Sequence, residues 1–451
     1  MQGESVSALF KKNALGMVIA AMAAMLGVVV DGTIISHFYG PESMAAYGLA
    51  TPVVNLVTVF SGVFSTGTQI VCAQHIGAGN KENANRTFSM CMTATVLLSA
   101  AMMAIIYFLK DPICVMLGAS GESSHLLPLS SDYLYGLLFS IPSVLLLFEF
   151  NGLMRLDNDP NRIIVAVAAM TILDIAFDLM NVFFFGLGMF GMGLATSVSY
   201  TIALVIMLLH FTKKDRLFHP TLRGLKLKDL TDIVTAGSSS AVGSASAMLR
   251  NRALNGIMLG TVAAVSATAA LSVLNTVLNL TSCTMVGVGM TVSMIAGMIS
   301  GSGNKEDAEE LVKTAGKYAV IIGVIMFCIL FALAPALAKL FGASHSEEMT
   351  AMVRRALRIY SVGCILYAVN TSFITYAQGL RKISISNIFC FLENCVFIVL
   401  PALALSGRFD ADAVWFAYVI TEVLTLLSVF VFMAVRKRGL PFRARDYILM
   451  K

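Results

Sequence analysis

The sequence predicts an all-α membrane protein of twelve transmembrane helices, built as two similar six-helix halves facing the same way across the bilayer. Three observations predict it: a composition too apolar for a soluble core, a regular series of apolar runs, and an internal repeat with six runs per copy. The chain has 451 residues, 57% hydrophobic and 13% charged, with a mean hydropathy of +0.82. A soluble domain carries roughly 25% charged residues. So much apolar surface needs lipid as a solvent, which excludes a single soluble core.

Twelve apolar runs are bounded by charges and by Gly/Pro turns. They cover about 14–38, 45–73, 87–109, 131–155, 162–184, 190–211, 231–259, 265–299, 310–339, 351–379, 384–405 and 412–435, here spans 1 to 12. Each is near or above the roughly 20 residues that cross a bilayer. No small-residue cleavage site follows the first run, so it reads as span 1 and not as a signal peptide. The expected division is a first lobe over 1–211, a cytoplasmic linker over 212–230, a second lobe over 231–436 and a cytoplasmic tail over 437–451.

Charge sets the orientation. Alternate loops and both termini carry 23 of the 31 Lys and Arg, the opposite loops carry six, and Arg250 and Arg252 lie within span 7. The basic side includes Arg155, Lys214, Arg223 and Lys451. This bias places both termini in the cytoplasm. The net charge of +5 lies in these short loops and implies no nucleic-acid partner. None of the eight cysteines forms a CxxC pair or a Cys/His ligand spacing, so they read as small buried hydrophobes.

The repeat sits at an offset of 224. Ile76-Gly-Ala-Gly-Asn-Lys-Glu82 matches Ser300-Gly-Ser-Gly-Asn-Lys-Glu306, Gly118-Ala-Ser120 matches Gly342-Ala-Ser344, and Asn55-Leu56 matches Asn279-Leu280. Six spans per copy give both halves one topology, related by an axis along the membrane normal. The expected shape is a V of two lobes with a central cleft for substrate, whose rocking gives alternating access. Gly77, Gly79, Gly301 and Gly303 lack a preceding strand and a following GK[ST], so they are turns and not a phosphate loop. The sequence holds no catalytic triad, metal motif or nucleotide site, and neither an enzyme nor a cofactor is expected.

An ionisable residue at membrane depth costs about 2.5–3.5 kcal/mol on insertion scales, so each needs a reason. Asp31 lies about 25 Å into span 1, and Asp174 and Asp178 lie roughly 18 and 24 Å into span 5, at 1.5 Å per residue. The last two share one helix face. Carboxylates that close, in low dielectric, cannot all be ionised without a counter-cation. Thr196 on span 6, with Tyr133 and Asn151 on span 4, adds neutral oxygens. This is a ligand set for Na⁺ or H⁺, with Na⁺ possible at Asp31, Asp174, Asp178 and Thr196. A single aspartate would be explained as well by a structural hydrogen bond; three at matching depth point to an ion pathway.

Arg250 and Arg252 lie in a polar, small-residue stretch from Gly237 to Asn255. They read either as structural partners of Glu393 and Glu422, or as cleft residues that attract substrate or tune gating. Glu149, near the cytoplasmic end of span 4, is expected to snorkel. The 27 Met and 28 Phe suit an adaptable binding surface, and serve equally as filler. At the offset of 224, Asp174 and Asp178 fall on Ile398 and Ala402, and Asp31 falls near Asn255. The second half is therefore expected to keep the scaffold and lack the acids.

Taken together, these residues resemble the MATE family, the multidrug and toxic compound extrusion transporters. The resemblance covers nearly the whole chain. It rests on the 6+6 parallel repeat, Asp31 with Phe38-Tyr-Gly40 and Ala45-Ala46, and Gly77-Ala-Gly-Asn80 with its second copy. Asp174-Ile-Ala-Phe-Asp178 before Gly186-Leu-Gly188 and Gly193-Leu-Ala-Thr196 completes it. It implies a secondary antiporter that exports cationic or amphipathic organic compounds against inward Na⁺ or H⁺, as a monomer among membrane lipids in a bacterial or archaeal inner membrane. The similarity is to the prokaryotic branch with a cation site in the N-lobe, which implies roles for Asp31, Tyr133, Asn151, Asp178 and Thr196. Asp174 replaces an expected Asn and adds a carboxylate, favouring a proton. Span 1 has no proline, and Gly16 is its nearest flexible point. The other branch places acids on spans 7 and 10; here span 7 carries Arg250 and Arg252, and span 10 has no acid. The competing readings are a lipid-linked precursor flippase, for which Arg250 and Arg252 would hold a phosphate, and a specific metabolite or peptide exporter of the same fold.

Overall fold

A computed structural model of the chain describes residues 5–213, 216–221, 224–342, 347–441 and 443–450. All regular structure among these residues is helical. In chain order the helices are α1 (Val6–Ile34), α2 (Gly40–Gly77), α3 (Lys81–Met116), α4 (Leu127–Leu137), α5 (Ser140–Leu156), α6 (Pro160–Met180) and α7 (Gly188–Leu208), then α8 (Leu227–Leu259), α9 (Ala264–Ser302), α10 (Lys305–Gly342), α11 (Glu347–Gly379), α12 (Ile383–Phe391), α13 (Phe397–Phe409) and α14 (Asp412–Lys437).

Fourteen helices make twelve spans because two spans are interrupted. Span 4 is α4 plus α5, bent by 49°. Pro142, in the first turn of α5, has no N–H to continue the backbone ladder across the junction. Span 11 is α12 plus α13, joined through a π-helical segment at Leu392–Val396. Among the described residues, nine helical spans are long and apolar enough to cross a membrane, and the bent pair makes ten. α1 and α8, with 29 and 33 residues, complete the twelve. α8 falls short on composition because it holds the serine-rich stretch and both arginines of Gly237 to Asn255.

The repeated Gly-x-Gly-Asn-Lys-Glu motif is the same device twice. Gly79 and Gly303 adopt φ of +75° and +74°, a left-handed conformation that suits glycine. The following asparagine then caps the next helix. Asn80 Oδ1 accepts from Asn83 N at 3.0 Å, and Asn304 Oδ1 accepts from Glu306 N at 2.9 Å. α3 consequently starts at Lys81, six residues before the expected start of its apolar run. Gly118 also has positive φ; Ala343 and Ser344 of its second copy lie outside the described residues, as do Lys214, Arg223 and Lys451.

The chain divides into two compact units, Leu15–Gly237 and Met1–Ala14 together with Ser238–Lys451. Each takes in a piece of chain beyond its six spans. In the first, the start of α8 is held by Arg86, whose Nε and Nη2 donate to Asp229 at 2.7 and 3.1 Å. Gly67 and Gly237 bring α2 and α8 into backbone contact, against Ile233 and Val63 respectively. In the second, Phe10 stacks on Tyr318 with centroids 5.3 Å apart, and Ser7 N donates to Glu310 Oε1 at 3.1 Å. The second unit's core centres on Trp415 with Leu254, Leu271, Leu357 and Ile398. Cys72, Cys91, Cys114 and Cys364 are buried, whereas Cys328 is exposed.

Candidate cation-coupling site

The site lies in the first unit, where α1, α6 and α7 bring polar side chains into an apolar interior. Asp31, Asp174 and Asp178 retain 8%, 4% and 0% of their exposure. The carboxyls of Asp31 and Asp178 are within hydrogen-bond reach of each other, and Asp174 is close enough to act on both charges. Asp174 Oδ1 lies 3.0 Å from Ser199 Oγ and is also approached by the Thr196 hydroxyl. Ser199 Oγ is also 2.9 Å from the Thr196 carbonyl, so its single hydrogen serves one acceptor at a time.

The two ends of the cluster differ in satisfaction. Asp174 has hydroxyl donors, while neither oxygen of Asp178, nor Oδ1 of Asp31, has a hydrogen-bond partner. A buried carboxylate oxygen without a donor is costly. Two carboxyls in contact in low dielectric must hold a proton or a cation between them. Among the described residues, no group of three or more His, Cys, Asp or Glu is arranged as a metal site.

Four tyrosines surround the acids. Tyr47 on α2 and Tyr133 on α4 pack edge to face at 5.3 Å, and both lie within electrostatic range of all three aspartates. Tyr200 on α7 lies within electrostatic range of Asp174 and Asp31, and Tyr39 within range of Asp178. Tyr133 is positioned by a glycine contact. A Cβ on Gly193 would strike the Tyr133 carbonyl, and one on Gly136 would strike the Phe190 carbonyl, so α4 and α7 touch backbone to backbone. Ser197 Oγ locks that contact by donating to Gly136 O at 2.6 Å.

Asn181 ties together the span ends that follow Asp31 and Asp178. It follows Asp178 by three residues and opens the π-helical segment Asn181–Phe185. Its Nδ2 donates to Tyr39 Oη and Gly188 O at 3.0 Å each, and its Oδ1 accepts from Leu187 N at 3.0 Å. Tyr39 itself closes a second π-helical segment, Ile35–Tyr39, which follows Asp31 and ends at Gly40 with φ of +82°. π-helical turns inside α-helices frequently accompany functional sites. The irregularity of span 1 is therefore here; α1 is regular α-helix through Gly16.

Of the sequence-predicted ligands, Asp31, Asp174, Asp178, Thr196 and Tyr133 gather in this cluster. Asn151 turns its Oδ1 toward Arg155 Nη2 at 3.3 Å. Ser199, Tyr47, Tyr200, Tyr39 and Asn181 were not singled out by sequence. Ser199 carried a usable signal, because it sits three residues after Thr196 on the same helix face.

Two expectations are corrected and a third is sharpened. Glu149 does not snorkel: it is 1% exposed, and its Oε2 accepts from Thr95 at 2.9 Å. Arg155, counted with the basic loops, is 3% exposed because its guanidinium folds back on the Asn151 carbonyl at 3.1 Å. The second half has no acid at the positions equivalent to the aspartates, but it holds a carboxyl pair elsewhere. Glu393 and Glu422 are buried within hydrogen-bond reach of each other, with Arg250 nearby. The positions equivalent to Asp174 and Asp178, Ile398 and Ala402, are buried apolar residues. Arg250 donates to Asn394 Oδ1 and Asn251 Oδ1 at 3.4 and 3.3 Å, while Arg252 is exposed.

Comparison with known proteins agrees with this architecture. The MatE family model matches residues 17–180 and 248–403, well over half of the chain. The chain is 27% identical over 191 residues to the uncharacterized transporter YisQ of Bacillus subtilis, covering 41% of each. It is 23% identical over 201 residues to the multidrug export protein MepA of Staphylococcus aureus, covering 45% of this chain and 44% of that one. These matches thus span less than half the length of either relative. Among solved structures, it is similar to an outward-facing multidrug resistance MATE family transporter of the MOP superfamily, with a TM-score of 0.89, 24% identity and 96% of both chains covered. It is similar also to a MOP superfamily transporter from Pyrococcus furiosus described as having a binding pocket of reverse polarity, with a TM-score of 0.87, 24% identity and 96% of both chains covered. At this identity the structures establish the fold, two six-helix lobes in a multi-pass membrane protein. With two matched segments, one in each half of the repeat, the chain belongs to the MatE family of membrane transporters.

Proposed function

We propose that the chain is a multidrug exporter that moves organic cations or amphipathic compounds out of the cell against an inward flow of H⁺, with Na⁺ as the alternative coupling ion. The observation that carries this reading is the Asp31–Asp178 contact, buried beside Asp174 and lacking donors. A coupling ion has to be bound on one side of the membrane and released on the other, so its site must be stable in both loaded and empty states. Asp174 suits that role because Ser199 and Thr196 stabilise its charge whether or not the neighbouring pair is loaded. Loading places one positive charge between Asp31 and Asp178, relieves their mutual repulsion and lets α1 and α6 approach; unloading drives the two carboxylates apart. The π-helical segments after Asp31 and Asp178, joined through Asn181 and Tyr39, would carry that displacement to the outer ends of both spans.

The basic-side charge bias supports cytoplasmic termini in a bacterial or archaeal cell membrane. The resemblance supports a monomer working among lipids on small-molecule substrates. MepA, itself a multidrug export protein, supports the substrate class. The flippase reading draws its support from Arg250 and Arg252. It is weakened because Arg250 already serves two asparagines and lies beside two glutamates. A narrower metabolite exporter has the same fold, and a panel of unrelated compounds separates it from a multidrug one. The test of coupling is efflux of a cationic dye from cells carrying Asp31→Asn or Asp178→Asn. Loss of concentrative efflux in both supports the reading, and unchanged efflux in both removes it.

A further inference from the structure

The second unit holds a buried polar cluster that the coupling site above does not use. Glu393 lies in the π-helical segment of span 11, and Glu422 lies on α14. They are 6% and 8% exposed, and their carboxyls are within hydrogen-bond reach of each other. Asn370 on α11, 1% exposed, donates through Nδ2 to Glu422 Oε2 at 2.9 Å and to the Glu422 carbonyl at 3.0 Å. Arg250 on α8 supplies the nearby positive charge, and it is anchored by Asn394.

We infer that this unit carries its own proton-binding site, in which Glu393 and Glu422 share one proton beside Arg250. Charge balance is the first argument. Two carboxylates and one guanidinium sum to a single negative charge, which is expensive to leave buried in a low-dielectric interior. One proton cancels it. The second argument is independent of the acids. Glu393 Oε1 and the Asn370 Oδ1 beside Glu422 are buried without a hydrogen-bond partner, and both are acceptors. What the cluster lacks is a hydrogen. The resident guanidinium disfavours a second metal cation and leaves a proton as the better fit.

The other titratable groups facing the pair are Tyr360, Cys364 and Tyr367 on α11 and Cys390 on α12, with Tyr418 on α14 facing Arg250. All are ordinarily neutral near pH 7, so the glutamate pair and Arg250 set the local charge. The first unit takes its acids from spans 1 and 5 and its hydroxyls from span 6. The second takes acids from spans 11 and 12 and a base from span 7, the counterpart of span 1. Each unit therefore places a carboxyl pair among corresponding spans with different chemistry.

Infrared spectroscopy of the purified full-length protein in liposomes tests this without relying on transport. The band of protonated buried carboxyls is followed across a pH titration in wild type, Glu393→Gln, Glu422→Gln and Glu393→Asp. The proposal expects either Gln variant to lose the same single-carboxyl component, and Glu393→Asp to keep it. It expects that component to survive in Asp31→Asn/Asp174→Asn/Asp178→Asn, where the first unit's site is dismantled and the second unit is untouched. A wild-type band unchanged in both Gln variants overturns the proposal, as does the absence of any titrating band in the triple variant. A component that changes when Na⁺ replaces choline, and only when Glu393 and Glu422 are intact, overturns it in favour of an alkali-cation site.

Discussion

Replacing Gly193 with alanine adds one methyl group where α4 and α7 of the first unit touch backbone to backbone. The new Cβ would collide with the Tyr133 carbonyl and lie 2.9 Å from Leu137 N and 3.0 Å from Gly136 C. All three are backbone atoms, so no rotamer change relieves the overlap. α4 and α7 must separate, and Ser197 Oγ then loses its 2.6 Å bond to Gly136 O. Overpacking of this kind costs roughly 1–3 kcal/mol, and a lost buried hydrogen bond adds about 1 kcal/mol. For a unit of this size that corresponds to a fall of about 5 °C or more in the thermal midpoint. The assay is thermal unfolding of the purified protein in detergent, run beside dye efflux, because Tyr133 moves away from Asp31 and Asp178. Gly316→Ala is the control: Gly316 is helical, and a Cβ there meets nothing within 4 Å. Glycine in a helix costs roughly 1 kcal/mol relative to alanine, so this variant is neutral or slightly stabilised. Equal midpoints for Gly193→Ala and Gly316→Ala would refute the claim that close packing of α4 on α7 positions the site.

Three other predictions address separate contacts. Asn181→Ala removes hydrogen bonds to Tyr39, Gly188 and Leu187 and should cost about 2–4 kcal/mol at roughly 1 kcal/mol each; a thermal midpoint at the wild-type value would show that the π-helical ends are not tied through this side chain. Ser199→Ala leaves Asp174 Oδ1 without its 3.0 Å donor and should reduce the initial rate of dye efflux several-fold at unchanged expression, for a loss of roughly 1–3 kcal/mol; a wild-type rate argues that Asp174 takes no part. Burial works against the charge of Asp159, in the turn before α6, but bonds from Lys213, His210 and Arg162 prevail and hold its carboxyl at about 2, below the ordinary 3.8. A depressed carboxylate stabilises the fold above its unfolded value and loses that contribution as pH falls through its folded one, so Asp159→Asn should lower the thermal midpoint at pH 7, with the gap from wild type closing between about pH 4 and pH 2; a gap that persists unchanged to pH 2 contradicts this.

The architecture was legible because membrane helices are written in long apolar runs, and because the Gly-x-Gly-Asn-Lys-Glu turn recurs at a fixed offset with its caps intact. Asp31, Asp174 and Asp178 were legible for the reason that makes them costly, since an acid at membrane depth stands out in any apolar run. Ser199, Tyr47 and Asn181 were not, because hydroxyls and amides are common in membrane helices and only packing shows which of them faces an acid. Glu149 was misread because distance from a helix end does not reveal whether a neighbour such as Thr95 waits in the interior. Glu393 and Glu422 were legible as acids that could pair with Arg250; that they meet each other was not, because they sit on spans 11 and 12 away from the positions equivalent to the aspartates. The break at Pro142 was visible as a proline, yet its 49° bend depends on how α4 and α5 each pack.

The central claim is that ion binding at Asp31 and Asp178 drives export. Its most direct test is transport of a fluorescent organic cation by the purified protein in proteoliposomes, with H⁺ and Na⁺ gradients imposed one at a time. The account predicts concentrative transport driven by the H⁺ gradient and abolished in Asp178→Asn. Concentrative transport that neither gradient drives, or that Asp178→Asn sustains at the wild-type rate, would contradict it.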